Sequence, residues 1–240
     1  MPRFYCPQPL PSGGAIDLPD SVAHHLRVVR LQAGDSLILF NGDGGEHAAE
    51  LLFIDKKSAR AQLREFSVPE RELPYALTLA QALPEASKMD WIIEKAVELG
   101  VAIVAPLAAD RCVVRLSIER AEKRQLHWQS VIVAAAEQSG RNILTVLAPV
   151  TPVNSWLQKP DSQVRILLSP RAERSLADWA RATPPCSTTL MIGPEGGFSP
   201  KEEAMALAHG ALALSMGPRV LRTETAGLAA LATINAHWTR

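Results

Sequence analysis

Apolar residues fall into two regimes along this chain. Up to about residue 67 they form short runs broken by glycine- and aspartate-rich turns, and from Tyr75 onward near-continuous apolar runs alternate with amphipathic stretches. The first regime predicts strands at Ala15–Leu18, Ser36–Phe40, Glu46–Ile54 and Ser58–Phe66, with hairpin turns at Asn41-Gly42-Asp43-Gly44-Gly45 and Asp55-Lys56-Lys57. A short helix starts after Asp20 and carries His24, His25, Arg27 and Val28. The run Val68-Pro69-Glu70-Arg71-Glu72-Leu73-Pro74 reads as a linker, so the expected division is into domains 1–68 and 74–240.

In the second regime, strands are expected at Ala76–Ala82, Val101–Pro106, Arg165–Leu168, Thr189–Ile192 and Ala211–Leu214, separated by helices. That alternation predicts an α/β fold with a mainly parallel sheet. Ser87 and Asp90 form a capping box ahead of a helix that ends at Leu99, before Gly100. A long helix spans Ser117 to Gln138 and stops at Gly140. Ser199, Pro200 and Glu202 supply an N-cap, an N1 proline and a second capping box for a helix closed by Gly210. The last helix runs from about Thr225 to His237 and carries no charge from Ala226 to Ile234. A helix apolar all round is buried, and a subunit interface is one place for it.

The candidate chemistry sits in two glycine-rich turns. Gly193-Pro194-Glu195-Gly196-Gly197-Phe198-Ser199-Pro200 follows one expected strand, and Met216-Gly217-Pro218-Arg219-Val220-Leu221-Arg222-Thr223-Glu224-Thr225-Ala226-Gly227 follows another. Glycine has no Cβ to hold off a ligand, so such turns let backbone groups approach one closely; a tight strand-to-helix turn is the plainer alternative. Ile192, Met216 and Leu221 offer apolar contacts, and Leu168 ends a third strand at the same expected edge. Neither turn has the Lys-Ser/Thr pair of a phosphate loop or a G-x-G-x-x-G fingerprint. Pro194 and Pro218 also remove amide donors that an anion cradle would use. A ligand held by adenine-edge and hydroxyl hydrogen bonds suits them better. Glu195, Arg222 and Glu224 are the polar groups on offer, with a structural ion-pair network as their alternative role.

Composition narrows the picture. With 240 residues, 47% hydrophobic and 21% charged, the chain is an ordinary globular protein, and no apolar run reaches membrane-spanning length. The N-terminus lacks a signal-peptide core, and Cys6, Cys112 and Cys186 are scattered without a C-x-x-C, so reduced thiols, no metal and a cytoplasmic location are expected. Equal numbers of basic and acidic residues, 25 each, argue against coating nucleic acid by bulk charge. Local clusters remain open: Arg3, His24, Arg27 and Arg30 near the N-terminus, and a basic excess from Arg111, Arg115, Arg120, Lys123 and Arg124 to Arg141 over Glu119, Glu122 and Glu137.

Four ordered blocks carry a resemblance: Lys88-Met89-Asp90-Trp91-Ile92-Ile93-Glu94-Lys95-Ala96-Val97-Glu98-Leu99-Gly100-Val101, Ala136-Glu137-Gln138-Ser139-Gly140-Arg141, Ile192 to Glu202, and Gly217 to Leu231. Together with the Met1-Pro2-Arg3-Phe4-Tyr5 opening and the His24-to-Arg30 stretch, they resemble the ribosomal RNA small subunit methyltransferase E family of the knotted SPOUT superfamily. The resemblance implies an N-terminal PUA-like RNA-binding barrel. It further implies a methyltransferase domain whose two glycine-rich turns lie in a trefoil knot, with an S-adenosylmethionine site completed across a homodimer. The cofactor set is then Leu168, Ile192, Gly193, Pro194, Glu195, Gly196, Gly197, Met216, Gly217, Leu221, Arg222 and Thr223, and the RNA set is Arg3, His24, Arg27, Arg30 and Arg141.

The implied activity is N3-methylation of one uridine, number 1498 in the usual numbering, of 16S ribosomal RNA in the small subunit. Direct attack on a sulfonium methyl needs neither a metal nor a covalent enzyme intermediate. The uracil N3 must first lose its proton, and an unshifted glutamate, with a pKa of about 4.3, is a poor base for so weak an acid. Arg222 is the expected stabiliser of the uracil anion, with Glu224 or Glu137 as proton acceptor. Two alternatives stay open: methylation of another RNA base, and a non-catalytic RNA-binding or ribosome-assembly protein on the same fold.

Overall fold

The structure is a computed structural model that describes residues 1–56, 58–85, 87–160 and 162–239. It divides into two compact units, Met1–Glu72 with Ala136–Leu144, and Leu73–Ala135 with Thr145–Arg240.

The first unit is built on five strands, β1 (Arg3–Tyr5), β2 (Gly14–Leu18), β3 (Ser36–Phe40), β4 (Glu46–Ile54) and β5 (Ala59–Ser67), with helix α1 (Asp20–Val28) after β2. The ladder order is β1-β3-β4-β5-β2. No ladder joins β1 to β2 among the described residues, so the expected barrel is a sheet with two free edges in its hydrogen bonding. The expected β3–β4 and β4–β5 hairpins both form as antiparallel pairs. In the second hairpin turn the Asp55 carboxylate caps the Ser58 N–H at 2.7 Å, while Lys57 lies outside the described residues. Strand β1 escapes local pattern reading because it is three residues long and pairs in parallel with β3. Phe4, Cys6, Leu18, Val22, Leu26, Leu37, Leu39, Leu51 and Leu63 form the core under α1 and the sheet.

Segment 136–144 is fastened to this unit by hydrogen bonds, from Arg71 to Gly140 O at 2.6 Å and from Asn142 to Glu46. Glu46, 7% exposed, accepts hydrogen bonds from Arg3 at 2.6 Å, Arg71 at 2.8 Å and Asn142 at 3.0 Å. Burial works against the Glu46 charge, but these three donors together hold its carboxyl below the usual glutamate range.

The second unit contains a parallel sheet in the order β12-β10-β11-β6-β7-β8, with β9 also on β7. Its strands are β6 (Leu77–Ala82), β7 (Ile103–Ala108), β8 (Val146–Leu147), β9 (Thr151–Pro152), β10 (Val164–Leu168), β11 (Thr188–Ile192) and β12 (Leu212–Leu214). Strands β6 and β11 are buried at every position, as sheet strands covered on both faces must be. The helices are α2 (Lys88–Glu98), α3 (Ile118–Ser139), α4 (Val153–Leu157), α5 (Leu176–Ala182), α6 (Pro200–Ala208) and α7 (Thr223–Trp238). No helix of the described residues is long and apolar enough to cross a membrane.

Local chemistry explains several boundaries. The capping box on α6 is complete: Ser199 Oγ accepts from Glu202 N–H, and the Glu202 carboxylate accepts from Ser199 N–H at 2.8 Å. The capping box expected on α2 does not form. Ser87 makes no side-chain cap, and the Asp90 carboxylate instead takes His127 Nε2 at 2.8 Å and Trp128 Nε1 at 3.0 Å, both on α3. Two protein donors from a packed helix outcompete one local N–H. Helix α7 starts two residues earlier than expected and packs on α2 and α5, burying Gly227, Ala230, Leu231, Ile234 and Trp238.

Strand β12 pairs with β10 at the sheet edge, yet α7, which follows it, packs on β11 and β6. On the way, Ser215 N–H donates to Arg174 O at 3.0 Å and Ser215 O accepts from Leu176 N–H at 2.8 Å. The chain after β12 is therefore strapped to the chain after β10, which brings the two glycine-rich turns to one end of the sheet.

Candidate functional site

A cavity of about 650 Å³ opens at the C-terminal strand ends of the second unit, a volume in the range of small-molecule sites. Leu168 closes β10, Ile192 closes β11, and Met216 follows β12; all three line it. Parallel strands end there with helix N-termini and loops facing the same space. Of the expected cofactor set, Leu168, Ile192, Gly193, Pro194, Glu195, Gly196, Gly197, Met216, Leu221, Arg222 and Thr223 line the cavity. Gly217 shares the second turn without being part of the lining.

The three glycines of the first turn serve different ends. A Cβ on Gly193 would lie 2.9 Å from Phe198 N, so the turn itself demands glycine there. Gly197 has φ +69°, which disfavours other residues. Gly196 has neither constraint: an added Cβ would meet only the Arg111 side chain, at an ordinary 3.5 Å. Gly196 is the glycine that the chain alone does not require, and it faces the cavity.

The turns are held from behind. Thr223 Oγ1 donates to Gly193 O at 2.6 Å and accepts from Gln81 Nε2 at 2.9 Å. Arg111 Nη1 donates to Gly196 O at 2.9 Å and to Phe198 O at 3.3 Å. Asp110 takes Ser199 Oγ at 2.8 Å, and its N–H reaches Glu202 at 2.9 Å.

Lys88, the first residue of α2, joins the turns electrostatically. Its Nζ lies 2.8 Å from Glu195 Oε1 and 3.6 Å from Glu224 Oε2. The hydrogen bond that Lys88 donates to Glu195, with both carboxylate charges, raises the Lys88 pKa. Partial burial opposes the Glu195 charge, but the Lys88 ammonium and the Glu85 N–H outweigh it and hold that carboxyl below its usual range. Glu224 also lines the cavity; its Oε2 is buried and, beyond the ion pair with Lys88, accepts no hydrogen bond among the described residues. Arg222, exposed at the lip, makes no side-chain hydrogen bond or ion pair among the described residues.

Lys88, Arg111, Ser169, Arg171, Glu203 and Arg219 also line the cavity and are absent from the expected site. Lys88 and Arg111 come just after β6 and β7, which end at the same edge of the sheet. Reading the residues after every predicted strand end, and not only after those with glycine turns, would have reached them.

The remaining candidates lie in the first unit. His24, Arg27 and Arg30 are exposed, and Arg27 Nη2 lies 3.3 Å from His24 Nδ1. Arg3 and Arg141 do not belong with them as surface contacts. The Arg3 side chain is 10% exposed, bonded to Glu46 and Asn142, and stacked 5.2 Å over the Phe40 ring. Arg141 is 4% exposed, with Nε and Nη2 both bonded to the Glu72 carboxylate. Glu137 does not line the cavity: its carboxylate accepts the Tyr5 N–H at 2.8 Å and lies 3.6 Å from His25 Nδ1. Burial pushes the Glu137 carboxyl up, against the pull of the Tyr5 N–H, His25 and Arg3.

Comparison with known proteins agrees with this geometry. A family described as an RNA methyltransferase domain matches residues 71–235, and one described as an RNA methyltransferase PUA domain matches residues 18–64. Ribosomal RNA small subunit methyltransferase E of Bacillus subtilis is 33% identical over 223 residues, covering 90% of this chain and 87% of that protein. The protein of the same name from Synechocystis is 34% identical over 226 residues, covering 92% of this chain and 73% of that one. Among solved structures, a ribosomal RNA small subunit methyltransferase E from Neisseria gonorrhoeae bound to S-adenosyl methionine superposes with a TM-score of 0.91. That protein is 36% identical, and the match covers 99% of this chain and 98% of the other. The fold is the α/β SPOUT type joined to a PUA-like unit. Since the match takes in both glycine-rich turns and runs nearly from end to end, this chain belongs to the ribosomal RNA small subunit methyltransferase E family.

Proposed function

We propose that this protein transfers a methyl group from S-adenosylmethionine to N3 of a single uridine of 16S ribosomal RNA. One observation carries the reading: both glycine-rich turns line a single cavity at the strand ends, on a fold shared with a relative bound to S-adenosyl methionine.

The residues present fit that cofactor. Leu168, Ile192, Met216 and Leu221 supply apolar walls for an adenine and ribose, and Gly196 leaves room where a side chain would intrude. S-adenosylmethionine supplies an electrophilic methyl group on sulfur. What the chain must supply is a deprotonated uracil. Arg222, exposed at the cavity and without a side-chain partner among the described residues, donates to a uracil oxygen where negative charge accumulates as N3 loses its proton. Glu224 is the proton acceptor we favour over Glu137, because it lines the cavity and Glu137 does not. Lys88 offsets the negative charge that Glu195 and Glu224 would otherwise bring together.

The rest of the reading follows from that substrate. Domain 1–68 contacts RNA through His24, Arg27 and Arg30, and domain 74–240 carries the chemistry. The route of the chain from β12 past Arg174 to α7 supports a trefoil knot. The small-residue face of α7, with Ala232 and Ala236 exposed, supports a homodimer. A substrate within the small ribosomal subunit implies a cytoplasmic enzyme, and three free cysteines accord with that.

Incubation with methyl-labelled S-adenosylmethionine and unmodified small subunits, followed by mapping of the labelled base, tests the reading. Label on uridine N3 is expected. Label on another base, or none with an intact cofactor site, would overturn it.

A further inference from the structure

We propose that a basic depression on the loop after β7 and the first turns of α3 docks the phosphate backbone of the RNA substrate. The proposal rests on the RNA-modifying function above and adds a contact surface outside the PUA-like unit. The depression has a volume of about 660 Å³ and is lined by Arg115, Arg120, Lys123, Arg124 and His127, with Val114 and Leu116 as its apolar floor. No carboxylate lines it among the described residues.

The partners of these groups show which charges are available. Arg115 donates to Asp110 O at 2.8 Å, Lys123 pairs with Glu119 at 2.7 Å, and His127 with Asp90 at 2.8 Å. Arg120 and Arg124 are exposed and make no side-chain hydrogen bond or ion pair among the described residues. They stand four residues apart, about 6 Å along one helix face, where like charges repel. In a chain with 25 Lys and Arg against 25 Asp and Glu, four Lys and Arg side chains around one hollow are a local excess that an anion would relieve.

The same loop ties this hollow to the cofactor cavity. Arg111 holds the Gly196 and Phe198 carbonyls of the first turn, and Arg115, four residues on, lines the depression. A strand gripped by its phosphates along α3 is thereby led toward the turn where the base must react.

A second copy of this chain is the competing occupant, since Ile118 and Leu126 are 82% and 76% exposed nearby. A two-fold contact through the hollow would set cations against cations, which disfavours it.

The experiment compares the parent protein with Arg120→Ala/Arg124→Ala and Arg120→Glu/Arg124→Glu in filter binding to 16S ribosomal RNA, without cofactor, over a salt series. Each lost phosphate contact lowers the slope of log K against log salt by roughly 0.7–0.9, so the double alanine variant should lose about 1.5 and the glutamate variant should bind more weakly still. Cofactor affinity by calorimetry should stay within about twofold, since neither arginine lines that cavity. Unchanged RNA affinity and slope would overturn the proposal, as would a changed sedimentation coefficient with an unchanged slope, which would assign the surface to self-association. If the parent shows this slope but transfers no methyl group, the proposed activity fails while the docking surface stands.

Discussion

Thr223 Oγ1 donates a 2.6 Å hydrogen bond to the carbonyl of Gly193, joining the start of α7 to the start of the first glycine-rich turn across 30 positions of sequence. The same hydroxyl accepts from Gln81 Nε2 at 2.9 Å, so a buried hydroxyl links three elements. Thr223→Val keeps the shape and removes both bonds, at a cost of about 1–3 kcal/mol because the Gly193 carbonyl loses a donor and Gln81 an acceptor. Both the melting temperature and S-adenosylmethionine affinity should fall, and Thr223→Ser should restore most of each. Unchanged affinity in the valine variant would mean that the turns hold their places without this link.

Gly193 and Gly196 should respond differently to the same change. Gly193→Ala places a Cβ 2.9 Å from the Phe198 nitrogen and should destabilise the fold with or without cofactor. Gly196→Ala meets only Arg111 at 3.5 Å and should melt like the parent while binding S-adenosylmethionine at least tenfold more weakly. Thermal melts and calorimetry on the pair separate a turn requirement from a ligand requirement. A Gly196→Ala variant with parental affinity would place the ligand elsewhere in the cavity.

Lys88→Met leaves Glu195 and Glu224 without the ammonium between them. The Glu195 carboxyl, held below its usual range mainly by Lys88 against the opposing effect of burial, should return upward. The methyl-transfer rate should fall, and its acid limb should move to higher pH. Lys88→Arg should restore the limb in part. An identical pH profile for the methionine variant would reduce Lys88 to a surface charge.

Arg222→Ala should lower single-turnover methyl transfer by about a hundred-fold or more, the cost of one anion-stabilising donor, with a smaller loss of cofactor affinity. Its guanidinium makes no side-chain hydrogen bond or ion pair among the described residues, so stability should not change. Equal losses in rate and cofactor affinity would move Arg222 from the base to the cofactor.

Glu46 gives the first unit an acid sensitivity of defined sign. Its lowered pKa means that its stabilising contribution is fully present above the unfolded value of about 4.3 and is lost as pH falls through the lower folded value. Glu46→Ala strands the Arg3 guanidinium in a site 10% exposed and should cost roughly 3–5 kcal/mol near neutral pH. The variant should also lose part of the parent's further destabilisation below pH 4. Denaturant unfolding at pH 7 and at pH 3 checks both.

By itself the sequence determined what a few neighbouring residues can settle. The two hairpins, the Ser199–Glu202 capping box, the helix stop at Gly140 and the succession of parallel strands all follow from patterns shorter than one element. The glycine-rich turns were legible for the same reason, and the resemblance joined them into one cofactor site. Tertiary structure decided the partners of charged groups. Asp90 could have capped its own helix, but α3 brought His127 and Trp128 to it. Arg3 and Arg141 looked like free basic side chains until Glu46 and Glu72 were folded against them. Lys88 is locally just the first residue of a helix, yet it stands between two carboxylates more than a hundred positions away. A charge acts through space, so its role is set by whatever the fold places within a few ångströms, and local sequence does not record that distance.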